Sequence, residues 1–305
     1  MTDDKEKQVP DLEIRSYGDF LRLVRGQTSK SMRSLYDDLY FKKHVGDKDI
    51  SESYFLTLGL GETKYTSIPL SLAEIKPGMR IIDIGCGRGE IVFQAASAGA
   101  RAVGIDYAES AVEIAQTTRE RHAEDIREKT GFFCQSAETL EFEDDFFDTA
   151  FLLDVVEHVS ADEFQTILRE IWRVLKPGGK LIIHTSPNVW SRTWGFRIKS
   201  AVYFLLKREK PVHPVVAHFR TLKTDPEYDE HKILMHINEQ SILSLRRHLK
   251  ACGFRSRVWL GSTGNPWLSR RDLLGRTASM VYTLTGMKYL RGSDIYAVAE
   301  PRGKK

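Results

Sequence analysis

The amino-acid sequence predicts an α/β fold in which a mostly parallel sheet carries helices on both faces. Apolar strand-like runs alternate with helical segments over residues 80–185, a pattern typical of parallel sheets. The first run enters a glycine-rich turn, Gly85-Cys86-Gly87-Arg88-Gly89, and the run over residues 101–106 ends at Asp106. Because the carboxyl ends of parallel strands meet at one edge, a ligand site is predicted there.

The individual elements are separated by turn residues. Strands are predicted over residues 80–84, 101–106, 132–135, 151–153, 180–185, 257–260 and 294–299. Helices are predicted over residues 90–98, 161–174 and 238–251, and a further helix begins near residue 109. Pro77-Gly78 is a turn signal before the first strand, and Gly253 is a typical helix stop.

The glycine-rich turn indicates a ligand that lies directly on the main chain. Glycines tolerate positive φ and have no Cβ to keep a ligand away, and the following helix directs free N–H groups at the site. The spacing is G-x-G-x-G, not the G-x-G-x-x-G of dinucleotide binders. A carboxylate at the end of the second strand, here Asp106, can accept hydrogen bonds from ribose hydroxyls. The glycine-rich turn and the acidic strand end together favour an adenosine-containing cofactor. The alternative is an NAD-dependent enzyme with a related fold.

Five motifs follow one another along the chain. They are Asp83-Ile84-Gly85-Cys86-Gly87, Asp106, Asp148-Thr149-Ala150-Phe151, Glu157-His158-Val159 and Leu175-Lys176-Pro177-Gly178-Gly179. In this order they resemble the class I S-adenosylmethionine (SAM) methyltransferases of type 11 or 12, closely over residues 75–190 and loosely over residues 236–300. The resemblance implies a seven-stranded, Rossmann-like sheet that ends in an antiparallel hairpin, and SAM as cofactor. About 30 residues separate the last two strands here, which departs from a tight hairpin.

The resemblance also implies which residues contact the cofactor. These are Asp83, Gly85, Cys86, Gly87, Asp106, Tyr107, Ser136, Ala137 and Asp154. Asp83 and the glycines would line the amino-acid end of SAM, Asp106 would hold the ribose, and Tyr107 would flank the adenine. Ser136 stands where the family commonly has an acidic residue, and ordinary loop residues are the alternative for Tyr107 and Ser136. Cys86 is interpreted as a small packing residue.

A further motif follows the fourth strand. Asp154-Val155-Val156-Glu157-His158 resembles the acid-x-x-Glu-His pattern of ubiquinone-pathway O-methyltransferases and small-RNA 2′-O-methyltransferases, whose matching residues coordinate Mg²⁺. A later histidine completes the site in the RNA enzymes, and His236 stands where it would fall. The implied metal ligands are Asp154, Glu157, His158 and His236. The alternatives are His158 or His236 as a general base without metal, and structural histidines.

These features predict O-methylation of a small-molecule, glycan or lipid-linked acceptor. Enzymes that methylate amino groups of nucleobases or glutamine carry an Asn/Asp-Pro-Pro-Tyr box, but here that position reads Asp154-Val155-Val156-Glu157. A Mg²⁺-dependent RNA 2′-O-methyltransferase and a non-catalytic SAM-binding regulatory protein are the alternatives. The sequence shows no separate RNA-binding module, which argues against a nucleic-acid partner.

The chain divides into four predicted regions. Residues 1–60 form a helical cap, residues 61–186 the SAM-binding core, residues 187–235 an inserted lid, and residues 236–305 the rest of the core with an insertion between its last strands. Residues 191–305 contain 22 Lys and Arg against 9 Asp and Glu, whereas residues 1–190 contain 23 against 33. The basic half predicts an anionic acceptor or a peripheral membrane contact, with a solvated basic face as the alternative. The predicted lid and the insertion between the last strands contain aromatic residues that suit a half-wet interface: Trp190, Trp194, Trp267, Tyr282 and Tyr289.

The lack of a recognisable targeting signal and the pattern of cysteines predict a cytoplasmic protein. Any peripheral membrane contact would then be at the inner face. The 305-residue chain has no apolar stretch long enough to span a bilayer, and its charged N-terminus lacks a signal-peptide core. Cys86, Cys134 and Cys252 are scattered, which indicates a reducing compartment and no cysteine metal cluster. The oligomeric state is left open.

Overall fold

A computed structural model of the chain describes residues 41, 48–63, 65–207, 236–261 and 293–304. Its strands are β1 (Arg80–Ile84), β2 (Arg101–Asp106), β3 (Thr130–Cys134), β4 (Phe147–Leu153), β5 (Leu175–Thr185), β6 (Phe254–Gly261) and β7 (Asp294–Pro301). They form one seven-stranded sheet in the order β3-β2-β1-β4-β5-β7-β6. The first five pair in parallel, and β7 runs antiparallel to β5 and β6. The predicted α/β class, the mostly parallel sheet and the antiparallel pairing of the last two strands are confirmed.

Helices connect the strands on both sides of the sheet. They are α1 (Lys48–Thr57), α2 (Ser67–Ala73), α3 (Glu90–Ser97), α4 (Glu109–Arg119), α5 (Glu124–Arg127), α6 (Ala161–Val174), α7 (Phe196–Lys207) and α8 (Ile242–Ala251). One turn of 3₁₀ helix spans Val156–His158, and a π-helical segment spans Ser191–Gly195. The start of α6 is fixed by a capping box between Ser160 and Glu163.

Helices cover both faces of the sheet. Successive strand residues alternate between the two faces, so the inner strands contribute to two apolar clusters. One apolar cluster joins the first face to α3 and α4 and includes Ile81, Phe151, Ile182, Val92, Phe93 and Val112. The other joins the second face to α6 and α8 and includes Ile82, Leu152, Ile183, Phe164, Ile171 and Leu245. With both faces covered, the carboxyl edge of the parallel strands is where polar side chains can reach a ligand.

Several element boundaries differ from the prediction, and two of these differences have a local physical reason. β5 begins at Leu175, not at residue 180, because Leu175 already pairs with Phe147 before the ladder shifts register. α8 begins at Ile242, not at residue 238, because Ser241 and Ser244 form a capping box there.

The predicted division into four regions stays a prediction. The structure describes Phe41 and residues 48–60 of the cap, and residues 187–207 of the lid. Residues 208–235 and 262–292, which include Trp267, Tyr282 and Tyr289, lie outside the described residues. Within the part that is described, the helices are too short or too polar to cross a bilayer.

Candidate functional site at the carboxyl edge of the sheet

The glycine-rich turn folds back on the second strand. The N–H groups of Gly85 and Cys86 both donate to the carbonyl oxygen of Ile105, at 2.8 and 2.9 Å. Gly85 has a φ of +73°, and a Cβ atom at this position would overlap Cγ2 of Val155. Only glycine therefore satisfies both the backbone conformation and the close approach of the segment after β4.

Asp106 is fixed against this turn. Its Oδ2 atom accepts a hydrogen bond from the Gly87 N–H at 2.9 Å, and its Oδ1 atom accepts one from the Ala108 N–H at 2.9 Å. Burial raises the pKa of Asp106, and these hydrogen bonds oppose the rise. The acid at the end of β2 thus lies at the turn, as the strand-end pattern predicts.

Asp83 and Cys86 are buried beneath the turn. Burial, together with the negative charges of Glu90 and Asp106, raises the pKa of Asp83 to about 8. Burial likewise raises the pKa of the Cys86 thiol well above its usual range, and all three cysteines of the chain are free. The environment of Cys86 agrees with its interpretation as a packing residue, since a buried neutral thiol is a poor nucleophile.

A buried arginine connects the turn to α1. The Arg88 guanidinium lies 4.3 Å from the centre of the Tyr54 ring and forms an ion pair with Glu90 at 2.6 Å. The Tyr54 hydroxyl donates to the Arg88 carbonyl oxygen at 2.8 Å. The described part of the predicted cap thus contacts the turn. This contact was not predicted, because Tyr54 and Arg88 are far apart in the chain and share no motif.

The 3₁₀ turn after β4 is bonded to β5 and to the segment before α8. The Glu157 carboxylate accepts hydrogen bonds from the Thr185 hydroxyl at 2.7 Å and from the Ser186 N–H at 3.3 Å. The Glu157 carbonyl oxygen accepts from the N–H groups of Ile237 and Asn238, at 2.8 and 3.1 Å. These main-chain bonds bring His236 next to the turn.

Three of the four predicted metal ligands come together here. One candidate ligand atom from each of Glu157, His158 and His236 lies within 4.8 Å of the others. The Nδ1 atom of His236 is buried and has no hydrogen-bond partner among the described residues. Burial lowers the pKa of His236 well below its usual range, and the neighbouring His158 and Arg192 lower it further. Burial and the charge of Asp154 raise the pKa of Glu157 to about 8.

Asp154 is not a member of this group. Its backbone has a φ of +53°, and its carboxylate lies 2.8 Å from Nδ1 of His184. Although burial lowers the pKa of His184, the charge of Asp154 and its hydrogen bond to the ring, with smaller effects of Asp294 and Glu157, outweigh burial and raise the pKa to about 10. The role of His184 was not predicted, because its only signal in the sequence is a histidine at the end of an apolar strand.

The residues predicted to contact adenine follow β2 and β3. Tyr107 and Ser136 stand at the same carboxyl edge as Asp106. The Ser136 hydroxyl oxygen accepts a hydrogen bond from the Glu138 N–H at 3.3 Å, and Ala137 packs on the core. The contacts of these residues with a cofactor stay a prediction.

The described part of the predicted lid combines charge with exposed aromatic surface. Arg192 forms an ion pair with Glu239, whose side chain is buried. The Trp194 side chain is 56% exposed, and the Arg197 guanidinium lies 5.1 Å from the centre of its ring. Trp190 is half-buried.

Sequence comparisons agree with these observations. Residues 82–183 match a family model described as a methyltransferase domain. A ubiquinone biosynthesis O-methyltransferase of Bartonella tribocorum is 32% identical over 145 residues, which are 48% of this chain and 56% of that protein. A protein of the same name from Methylocella silvestris is 30% identical over 158 residues, covering 52% of this chain and 57% of its own length. The chain spans little more than half the length of these curated relatives.

A solved structure agrees with the sheet topology. A chain of the Haloferax volcanii complex between the Trm112 methyltransferase activator and a methyltransferase aligns with a TM-score of 0.53. The alignment covers 87% of this chain and 96% of that chain at 16% identity, so it shows the fold alone. Residues 82–183 therefore match a methyltransferase domain family, and the fold of the described chain agrees with that match.

Proposed function

We propose that this chain transfers a methyl group from SAM to a hydroxyl group of its acceptor. The main support is that Val155 joins the two groups of site residues. Its side chain packs over Gly85 in the glycine-rich turn, and the 3₁₀ turn that follows it holds Glu157 and His158. A donor on the glycine-rich turn therefore faces side chains that can take a proton.

In this proposal the donor lies on the ends of β1, β2 and β3. The Asp106 carboxylate has two oxygens with two lone pairs each, so it can accept hydrogen bonds from the ribose in addition to those from the main chain of Gly87, Tyr107 and Ala108. The other donor contacts are Asp83, Gly85, Cys86, Gly87, Tyr107, Ser136, Ala137 and Asp154.

The transfer is an in-line displacement. The acceptor oxygen bonds to the methyl carbon while the bond from carbon to sulfur breaks, which releases S-adenosylhomocysteine. The hydroxyl proton passes to His158 or His236, whose imidazole rings lie next to each other at the 3₁₀ turn.

The same side chains fit a divalent cation, because the buried Nδ1 atom of His236 has no hydrogen-bond partner among the described residues. Mg²⁺, implied by resemblance to the ubiquinone-pathway enzymes, prefers oxygen ligands, whereas two imidazoles beside one carboxylate suit Mn²⁺ or Zn²⁺. Glu157, His158 and His236 would hold the ion, and a bound ion lowers the pKa of a hydroxyl that it contacts.

The acceptor is proposed to be a small-molecule, glycan or lipid-linked compound with negative charge. The curated relatives are named O-methyltransferases, which favours a hydroxyl acceptor. The exposed Trp194 with Arg197 over its ring favours an anionic acceptor or a peripheral contact with the inner face of a membrane.

The test is incubation of the protein with methyl-labelled SAM and cell lysate, followed by partition of the label. We expect label in the organic or small polar fraction, and about 10²-fold or greater loss with H236A. The control is H248A, which removes the half-buried histidine of α8. Label in RNA would favour the RNA methyltransferase alternative, and equal labelling by both variants would refute the assignment of His236. Absence of label despite binding of S-adenosylhomocysteine would favour the regulatory alternative.

A further inference from the structure

We infer that His184 is a positioning residue that holds the carboxylate of Asp154 at the carboxyl edge of the sheet. The inference rests on the proposed function, in which Asp154 belongs to the donor site. His184 has no part in the motifs that identify the methyltransferase domain, and its role follows from its contacts.

Two contacts join Asp154 to His184. The Nδ1 atom of the His184 ring lies 2.8 Å from Oδ1 of Asp154, and the Asp154 N–H donates to the His184 carbonyl oxygen at 3.0 Å. The second contact extends the ladder between β4 and β5, in which Leu153 stands opposite His184. One residue of the neighbouring strand therefore fixes both the main chain and the side chain of Asp154.

The backbone of Asp154 requires such support. A φ of +53° is unfavourable for a residue with a Cβ atom and persists only where the surroundings enforce it. This conformation turns the chain at the end of β4, where Val155 then packs over Gly85. The contact with His184 thus stabilises the turn that joins the two halves of the site.

Among the described residues, Asp154 is the hydrogen-bond partner of the His184 ring. The ring is 3% exposed and lies 4.7 Å from the Tyr296 ring, centre to centre. Its Nε2 atom is 3.8 Å from Oδ1 of Asp294, too far for a hydrogen bond, and has no such partner among the described residues. The Asp154 side chain, by contrast, is 46% exposed. One side of its carboxylate is held by a buried ring while the other is open at the edge.

A carboxylate held in this way can meet a cationic group of the donor, either the amino group or the sulfonium, without first losing rotational freedom. His184 should therefore act on the affinity for the donor or its product through Asp154. Replacing His184 should therefore not change the affinity further in a variant in which Asp154 carries no charge.

A double-mutant cycle tests this coupling, with the affinity for S-adenosylhomocysteine measured by calorimetry. We expect H184L and D154N each to weaken binding by about 10-fold or more, and the double variant to bind no more weakly than D154N. H184N should recover most of the loss seen in H184L, because its amide can donate where Nδ1 does. If H184L does not fold by thermal unfolding, H184Q replaces it, since the longer amide no longer donates from the Nδ1 position.

The inference is wrong if H184L binds the product as tightly as the wild type, or if the two losses multiply in the double variant. It is also wrong if H184N and H184L lose the same affinity, which would indicate a structural role alone. In each of these cases a wild type that binds S-adenosylhomocysteine leaves the proposed function intact. A wild type that fails to bind it would overturn the proposed function itself.

Discussion

The imidazole rings of His158 and His236 lie 4.9 Å apart, centre to centre, with an interplanar angle of 68°. One ring belongs to the 3₁₀ turn after β4 and the other to the segment before α8. The Glu157 carbonyl oxygen holds these segments together by accepting from the N–H groups of Ile237 and Asn238. Because main-chain bonds build the pair, loss of either ring should leave both segments in place.

Mn²⁺ is expected to raise the unfolding temperature of the wild type by several degrees and to have little effect on H236A. An ion that binds only the folded state stabilises it by about 2.7 kcal/mol when its concentration is 100-fold above the Kd. The measurement is thermal unfolding after dialysis against a chelator, with Mn²⁺, Zn²⁺ or Mg²⁺ added. H248A is the matched histidine control, and equal shifts in H236A and the wild type would refute the cation site.

D106N is expected to weaken binding of S-adenosylhomocysteine by about 1–3 kcal/mol, or roughly 5- to 150-fold. The physical reason is the loss of hydrogen bonds to a charged acceptor that Gly87 and Ala108 hold in place. Calorimetry measures the change, and D125N, which neutralises an exposed acid on α5, is the control. Wild-type affinity in D106N would remove Asp106 from the donor site.

Asp83 should make stability depend on pH. Its pKa is raised from 3.8 to about 8 in the folded chain, so the folded state binds the proton more tightly than the unfolded state does. The stabilising contribution is therefore complete below the unfolded pKa and is lost as the pH rises through about 8.

Urea unfolding of the wild type and D83N between about pH 4 and about pH 9 measures this effect. The free energy of unfolding of the wild type, relative to D83N, should fall with rising pH, because asparagine stays neutral throughout. D125N, which removes an exposed carboxyl group, is the control variant. A difference between wild type and D83N that does not change with pH would contradict the raised pKa.

Replacing Gly85 by alanine should destabilise the chain more than replacing Gly78. Both residues have positive φ, +73° and +82°, so alanine costs about 1–2 kcal/mol at either position from the backbone alone. A Cβ atom on Gly78 meets nothing within 4 Å, whereas one on Gly85 overlaps Val155. The clash should add about 1–3 kcal/mol to the loss in the free energy of unfolding.

The V155A variant provides the control for that comparison. If Val155 causes the clash, G85A should cost less in the V155A background than in the wild type. Equal losses for G85A and G78A in urea unfolding would show that Val155 does not join the two groups of site residues.

The regular elements were predictable because their signals are local. The run over residues 101–106 became Arg101–Asp106, and the periodic segment over residues 161–174 became Ala161–Val174. The start of β5 was not predictable, because it depends on pairing between Leu175 and Phe147 across the sheet. The start of α8 was missed although the capping residues Ser241 and Ser244 stand in the sequence.

The site was predictable only where motifs mark it. The motif after β4 and the later His236 predicted that Glu157, His158 and His236 lie together. The same motif also predicted Asp154 as a member of this group, which it is not. The left-handed backbone of Asp154 and its bond to His184 are tertiary features that no spacing encodes. Arg88 is a comparable case, because its packing on Tyr54 depends on where α1 lies.

Calorimetric titration of the purified wild-type chain with S-adenosylhomocysteine is the most direct test of the proposed SAM site. We expect saturable binding that NAD⁺ does not displace and that D106N weakens. Binding of NAD⁺ without binding of S-adenosylhomocysteine would contradict the proposed site, because the glycine-rich turn and Asp106 would then serve a different cofactor.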